Sequence, residues 1–151
     1  MFSIDSNMTV QDALKVFFGA EMLGTDAYEK SINYATIGPI TFPFPNPKAR
    51  RRIVYLHDVN HILSGYDTSW TGEGEVSAWE LASGFPRHCW IGYFYAPLTF
   101  FVGLLVAPRK LYRAWIRGRR EKNACYAKLT REEMMKTRVS DLRGMLSIAS
   151  L

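Results

Sequence analysis

Cysteine and histidine are scarce in this chain of 151 residues, which has two cysteines and three histidines. Cys89 and Cys125 belong to no spaced motif, so we expect two free thiols in a reducing compartment. A nucleophile-elbow motif is absent, and neither cysteine has a recognisable partner residue. These absences leave serine and cysteine catalysis without support.

Repeats, strand-like alternation and a targeting segment are also missing. Residues 1 to 8 contain no Lys, no Arg and no apolar run, so we expect neither a secretory signal nor a transit peptide. Apolar residues make up 48% of the chain, which argues against disorder. We therefore predict an all-α fold, with a single helical domain spanning residues 1–151.

Aromatic and basic residues, in contrast, are abundant. Aromatic side chains make up 14% of the chain, and the formal net charge is +5. Such aromatic richness suits a deep core, a hydrophobic ligand or a membrane interface. The positive charge indicates an anionic partner, which is a lipid surface, a phosphate group or a nucleic acid.

Two of the histidines, His57 and His61, lie four residues apart in a predicted helix. This spacing places both imidazoles on one helical face, where they can bind one metal ion. Asp58 follows the first histidine, and Glu73 lies twelve residues after the second. One straight helix would place Glu73 roughly 18 Å from His61, so a metal site that includes Glu73 needs a turn.

The residues between the histidines and the glutamate predict that turn. Gly65 suits the left-handed position that ends a helix, and Asp67 or Thr68 can cap a second helix. An antiparallel return would bring Glu73 close to the histidines, which gives a ligand set for a divalent ion between two helices. The alternative is a pair of hydrogen-bonded histidines beside solvated acidic side chains.

This pattern, His57-Asp58-x-x-His61, then eleven residues, then Glu73, resembles the signature of the coenzyme Q (ubiquinone) biosynthesis protein four family. The resemblance covers about residues 50–148. Other similar features are Gly72-Glu73, Trp79-Glu80, Gly84-Phe85-Pro86, the basic run near Trp115 and the ending Leu142-Arg143 to Leu146.

The resemblance implies a metal-dependent protein of ubiquinone biosynthesis in which His57, Asp58, His61 and Glu73 are metal ligands and catalytic residues. It implies zinc, or else iron or another redox metal, and a polyprenylated hydroxybenzoate-type precursor. The implied reaction is an oxidative decarboxylation that replaces the ring carboxylate by a hydroxyl. Asp58 lies about 100° around the helix from His57, so its alternative role is to orient an imidazole.

The resemblance also implies partners and a location. The partners are other ubiquinone biosynthesis proteins, and the oligomeric state, including a homo-oligomer, stays open. The location is cytoplasmic and peripheral on the inner face of a membrane, or on the matrix side of the mitochondrial inner membrane in a eukaryote. The alternative function is a non-catalytic lipid-binding scaffold that organises those enzymes. A His-Asp phosphohydrolase ranks last, because no histidine precedes His57.

Residues 88–108 form an apolar run in which His88 is the one side chain of basic or acidic type. Pro97 interrupts the run and both flanks are basic, so we predict a long kinked helix, buried or lying on a bilayer, rather than a membrane span. One face of this helix is predicted to line a groove for the prenyl tail, with core packing as the alternative. That face contains Ile91, Phe94, Leu98, Phe101 and Leu105.

Basic clusters lie on both sides of these stretches. Residues 109–122 contain seven basic residues and one acidic residue, interleaved with Tyr112 and Trp115, which predicts an amphipathic helix on an anionic membrane. No recognition motif accompanies them, so we expect no nucleic-acid partner. Residues 48–52 are predicted to begin the His57 helix, as a solvated face or as a site for an anion.

Three shorter patterns complete the prediction. Thr9 caps a first helix, and Thr130 with Glu133 forms a capping box for a last one. The proline-rich residues 37–47 predict an extended loop, which is a connector or a lid that uses Phe42 and Phe44.

Overall fold

The computed structural model describes residues 4–19, 30–37 and 39–149, and these are mostly helical. Single 3₁₀ turns lie at Arg87–Cys89 and Ala124–Tyr126. In chain order the elements are α1 (Val10–Phe18), β1 (Ile32–Ile37), β2 (Ile40–Pro45), α2 (Lys48–Arg51), α3 (Val54–Ser64), α4 (Trp70–Ser83), α5 (Gly92–Val106), α6 (Pro108–Gly118), α7 (Arg131–Lys136) and α8 (Val139–Met145).

The prediction of a helical fold is therefore confirmed in outline, and one two-stranded sheet accompanies the helices. Strands β1 and β2 form an antiparallel pair in the segment that was predicted to be a loop. Asn46 N donates to Ser31 O at 2.8 Å, so the ladder hydrogen bonds of β2 fall on even-numbered residues. Pro43 and Pro45 thus occupy positions where no ladder donor is needed. The predicted lid side chains of Phe42 and Phe44 lie outside the described residues.

Both predicted threonine caps are present. Thr9 Oγ1 accepts a hydrogen bond from Asp12 N at 3.2 Å and starts α1. Thr130 accepts from Glu133 N while the Glu133 carboxylate accepts from Thr130 N, which closes the capping box of α7. These local hydrogen bonds depend on residues three apart, which is why the sequence alone reveals them.

The turn between α3 and α4 begins at the predicted glycine, but a residue other than the predicted ones caps α4. Gly65 ends α3 with φ of 75°, a left-handed conformation that glycine adopts without strain. Ser69, rather than Asp67 or Thr68, caps α4 by accepting a hydrogen bond from Gly72 N at 3.2 Å. The Asp67 carboxylate instead accepts from Ser69 N and from the Ser69 hydroxyl, and so braces the turn.

The basic cluster before α3 is a separate element. Residues 48–51 form the short helix α2, whereas α3 begins at Val54 after a non-helical break at Ile53. The prediction that the basic residues begin the histidine helix is therefore wrong. Four cations at the positive end of α3 would oppose its dipole, and the break removes them from that end.

Helix α4 lies in the core, and α5 and α6 both pack against it. Trp79 is fully buried, and its indole donates to the Glu121 carboxylate at 2.7 Å. Gly74 faces Gly103 of α5 so closely that a Cβ on Gly74 would lie 2.7 Å from the Gly103 Cα. The two helices therefore cross at backbone contact distance.

Helix α5 contains Pro97 and exposes most of its apolar side chains. Among the residues predicted to form a wall, Ile91 is buried, but Phe94, Leu98, Phe101 and Leu105 have between 61% and 86% of their surface exposed. Core packing is therefore wrong for these four residues. Among the described helices, none is long and apolar enough to cross a bilayer.

The two cysteines are not free thiols. Cys89, before α5, and Cys125, after α6, are both buried and form a disulfide. The free-thiol prediction failed because it relied on local spacing, whereas this pair is brought together by two intervening helices.

Candidate metal centre

Three side chains from two helices converge at one point. His57 and His61 of α3 face Glu73 of α4, and one donor atom from each lies within 4.8 Å of the other two. The two Nε2 atoms are 3.3 Å apart. Each Nε2 also lies 3.3 Å from a different oxygen of the Glu73 carboxylate. The turn at Gly65 thus does what the spacing predicted, since it brings Glu73 to both histidines.

The other ring nitrogens are held by separate partners. His57 Nδ1 lies 3.0 Å from Glu80 Oε1, and His61 Nδ1 lies 3.0 Å from the Tyr66 carbonyl oxygen. A carbonyl oxygen can only accept, so His61 carries its proton on Nδ1. The lone pair of His61 Nε2 therefore points toward Glu73 when the ring is neutral, which is the tautomer a metal-binding imidazole uses.

Glu80 is the residue that holds the Nδ1 side of His57 in place. It is buried, and the Asn60 amide donates to its Oε1 at 2.6 Å. Asn60 Oδ1 in turn accepts from Ala124 N at 2.8 Å, which ties the site to the chain beyond α6. Sequence reasoning gave Glu80 no role in the site. Its signal was the seven-residue distance from Glu73, two helical turns, which puts both carboxylates on one face.

Asp58 is not part of the cluster of donor atoms. It is half-buried and interacts electrostatically with Arg50. Its position one residue after His57 turns it away from the face that His57 and His61 share. The orienting role considered for Asp58 is performed by Glu80 and by the Tyr66 carbonyl.

Neighbouring charges shift the pKa values of His57 and Glu73. Burial disfavours protonation of His57, but the carboxylates of Glu80 and Glu73 outweigh burial and hold the pKa of His57 well above its usual value. Burial also acts to raise the pKa of Glu73, yet the hydrogen bonds and charges of the two imidazoles lower it far below its usual value. A proton on His57 supplies positive charge between the carboxylates, which is the charge that a divalent ion would also supply.

A cavity of about 380 Å³ opens beside these residues, between α3, α4 and α5. His57, Glu73 and Glu80 contribute to its polar end. Its other residues are mainly apolar, and several come from α5. That apolar lining includes Ile53, Val54, Leu56, Phe85, Ile91, Phe94, Leu98 and Val102.

Arg50 also lines the cavity. Its guanidinium donates to Asn46 Oδ1 at 3.0 Å and lies over the Tyr95 ring, 4.9 Å from the ring centroid. Burial lowers the pKa of Arg50, and the charge interaction with Asp58 works against that change. Arg50 therefore places a cation in the lining of a mainly apolar cavity.

Two arginines hold the carboxyl end of α3. Arg143 of α8 donates to the carbonyl oxygens of Leu63 at 3.1 Å and Ile62 at 2.9 Å. Arg117 of α6 donates to the Ser64 carbonyl at 2.6 Å. Cations are favoured at this end of a helix dipole, and here they satisfy carbonyls that lack helical partners. The helix that carries both histidines is thus fixed at the end nearest His61.

Comparison of the chain with protein-family models, with curated proteins and with solved structures finds no match. The proposed function therefore rests on the geometry of the site.

Proposed function

We propose that His57, His61 and Glu73 bind a divalent metal ion at the polar end of the apolar cavity. The observation that carries the proposal is the convergence of two Nε2 atoms on one carboxylate, with each Nδ1 already engaged elsewhere. Histidine ligands in metal sites almost always have such a partner on the second nitrogen. A hydrogen-bonded histidine pair alone does not require this complete arrangement.

Two imidazoles and one carboxylate leave coordination positions free. This ligand set is found in catalytic zinc sites and in ferrous oxygenases, so we propose zinc, with iron or another redox metal as the alternative. When bound, such an ion would polarise a phenolate or carboxylate oxygen of a ligand. His57 and Glu73 line the cavity, so a molecule bound in the cavity would lie beside the proposed metal ligands.

We further propose that the cavity binds a polyprenylated hydroxybenzoate-type precursor of ubiquinone. A volume of about 380 Å³ is in the range of small-molecule sites and suits an aromatic ring with the start of a tail. Arg50 and the metal centre provide positive charge for a ring carboxylate or phenolate. The tail would run along Phe94 and Leu98, which line the cavity and are also exposed on α5.

The surface around the cavity supports a location at a membrane. The exposed apolar side chains of α5 continue into α6, where Arg109, Lys110 and Arg113 are exposed. An apolar face next to a basic one is the pattern of helices that lie on anionic bilayers. We propose peripheral attachment through this surface, where other ubiquinone biosynthesis proteins are also expected.

The proposed reaction replaces the ring carboxylate by a hydroxyl. For one ring carboxylate, dioxygen, two electrons from a reductant and three protons give the phenol, carbon dioxide and water, so the aryl–carboxyl bond breaks and an aryl–oxygen bond forms. The protein would hold the ring with Arg50, keep His61 in its metal-binding tautomer through Tyr66, and exclude bulk water with the apolar wall.

A scaffold is the second candidate function, and the exposure of α5 favours it. A helix with this much exposed apolar surface can bind a lipid and partner proteins without any chemistry. In that case the metal would fix α3 against α4 and would not meet the ligand. Turnover with polyprenylated hydroxybenzoate, oxygen, reductant and candidate metals separates the two candidates, because a scaffold binds this compound without converting it.

Metal content tests the site itself. Protein purified without chelator or metal resin should carry about one equivalent of metal, and His61→Ala should lose it because each ligand is needed to close the site. His88→Ala is the matched control, since His88 lies outside the cluster. The proposal is refuted if the wild-type protein takes up no stoichiometric metal whichever metal is supplied. It is also refuted if both variants lose metal equally.

A further inference from the structure

A second cavity, of about 430 Å³, adjoins the first. Ile53, Leu56 and Cys125 line both cavities and so form the wall between them. The second cavity is lined by none of the three proposed metal ligands. A molecule in the second cavity would therefore not contact these three side chains.

Two arginines supply positive charge to the lining of the second cavity. Arg52 follows α2, and Arg87 and His88 belong to the 3₁₀ turn before α5. No Asp or Glu is among the lining residues. Both arginines are exposed, and within residues 4–19, 30–37 and 39–149 neither forms an ion pair with a carboxylate. Their charges are thus available to a ligand.

His88 has a fixed orientation beside these arginines. Its Nε2 donates to the Cys125 carbonyl oxygen at 3.0 Å, which links the turn before α5 to the chain after α6. The Cys89–Cys125 disulfide links the same two segments. Arg87 and His88 therefore stand on a braced part of the fold.

The rest of the cavity is apolar and aromatic. Leu56, Ala124 and Met134 are buried and contribute apolar surface to the lining. Tyr55 and Trp90 also line the cavity, and Trp90 is half exposed. A ligand that reaches the arginines can thus place an apolar body against these side chains.

We propose that this second cavity binds a phosphate-bearing amphiphile, with the phosphate on Arg52 and Arg87 and the apolar part against Leu56 and Met134. A guanidinium group can bind two phosphate oxygens at once through two parallel N–H donors. One phosphate has enough oxygens to accept hydrogen bonds from both arginines. The phosphate belongs either to a soluble phosphate monoester or to the head group of a phospholipid. Both sources use the same contacts.

Calorimetric titration tests the proposal with hexyl phosphate below its micellar concentration, inorganic phosphate and hexanol. Hexyl phosphate should bind saturably at one site, and about tenfold or more tighter than either fragment, because only it uses both parts of the cavity. The double variant Arg52→Gln/Arg87→Gln should lose about tenfold or more in affinity, since two charge-assisted contacts disappear. Lys136→Gln/Arg138→Gln removes the same charge at exposed positions outside the cavity and should bind like wild type.

Three results would overturn the proposal. They are a lack of saturable binding, an equal loss of affinity in both double variants, and an equal affinity for hexyl phosphate and inorganic phosphate. Vesicles of phosphatidylglycerol identify the source, because only a head-group site gives weaker vesicle binding in Arg52→Gln/Arg87→Gln than in the control double variant. His61→Ala should keep hexyl phosphate binding, so failure of the metal site would leave this result unchanged.

Discussion

Helices α4 and α5 pack against each other but differ in which of their side chains are buried. Helix α4 contains Glu73, Glu75 and Glu80, yet it lies in the core and buries Trp79 and Glu80. Helix α5 has no charged residue, yet it exposes most of its large apolar side chains. Burial therefore follows the contacts that a helix makes, and apolar sequence alone does not predict it. The charged helix builds the site, and the apolar helix offers a surface.

The largest contrast should appear when an aromatic residue is removed from each helix. Trp79→Ala should lower the free energy of unfolding by about 3–5 kcal/mol, because it leaves a cavity and removes the indole donor of buried Glu121. Phe101→Ala, at an exposed position of α5, should change it by less than about 0.5 kcal/mol. Urea unfolding measures both. Similar losses would show that α5 is buried in solution.

A smaller contrast lies within α4. Glu80→Gln should weaken metal affinity about 10–100-fold, since the carboxylate that orients His57 is replaced by a weaker acceptor. Glu75→Gln on the same helix is the control, because Glu75 lies outside the donor cluster and should bind metal normally. Competition with a chromogenic chelator measures the affinities. If both variants match the wild type, Glu80 does not support the site.

Two leucines of α5 sharpen the contrast between cavity and surface. Leu98→Asp should reduce binding of a polyprenylated hydroxybenzoate by about tenfold or more, because it places a charge in the apolar lining. Leu105→Asp should leave that binding intact, since Leu105 is 86% exposed and does not line the cavity. Both variants should stay folded and keep their metal. Unfolding of either would restore the core interpretation of α5.

The smallest effect concerns the basic residues of α6, which belong to the proposed membrane-binding surface. Lys110→Gln should weaken binding to anionic vesicles by about 1 kcal/mol, or roughly fivefold, and high salt should remove much of the remaining binding. Lys136→Gln is the control, because Lys136 is exposed on α7 and already pairs with Glu132. Vesicle sedimentation checks the comparison. If the wild-type protein stays bound to vesicles in both high salt and alkaline carbonate, its attachment is not peripheral.

Sequence reasoning was strongest where structure is local. Thr9, Thr130 and Gly65 act within a few residues, and the spacing of His57, His61 and Glu73 depends on one turn. It failed where partners are distant in the chain. The contact of Glu80 with His57 and the pairing of Cys89 with Cys125 depend on how separate helices pack, and no short pattern encodes that. For the same reason the sequence left open whether α5 is buried or exposed. The cap at Ser69 was missed because three neighbouring residues are all good caps.

The disulfide between Cys89 and Cys125 has a topological consequence. Both α5 and α6 lie between the two cysteines, so these helices belong to one closed covalent ring. For a ring of this size the bond restricts the unfolded chain by about 3–4 kcal/mol on the chain-entropy account. A protease cut at the exposed Arg109–Lys110 bond would leave both pieces attached. The cleaved chain would run as one band on a gel and separate into two only after reduction.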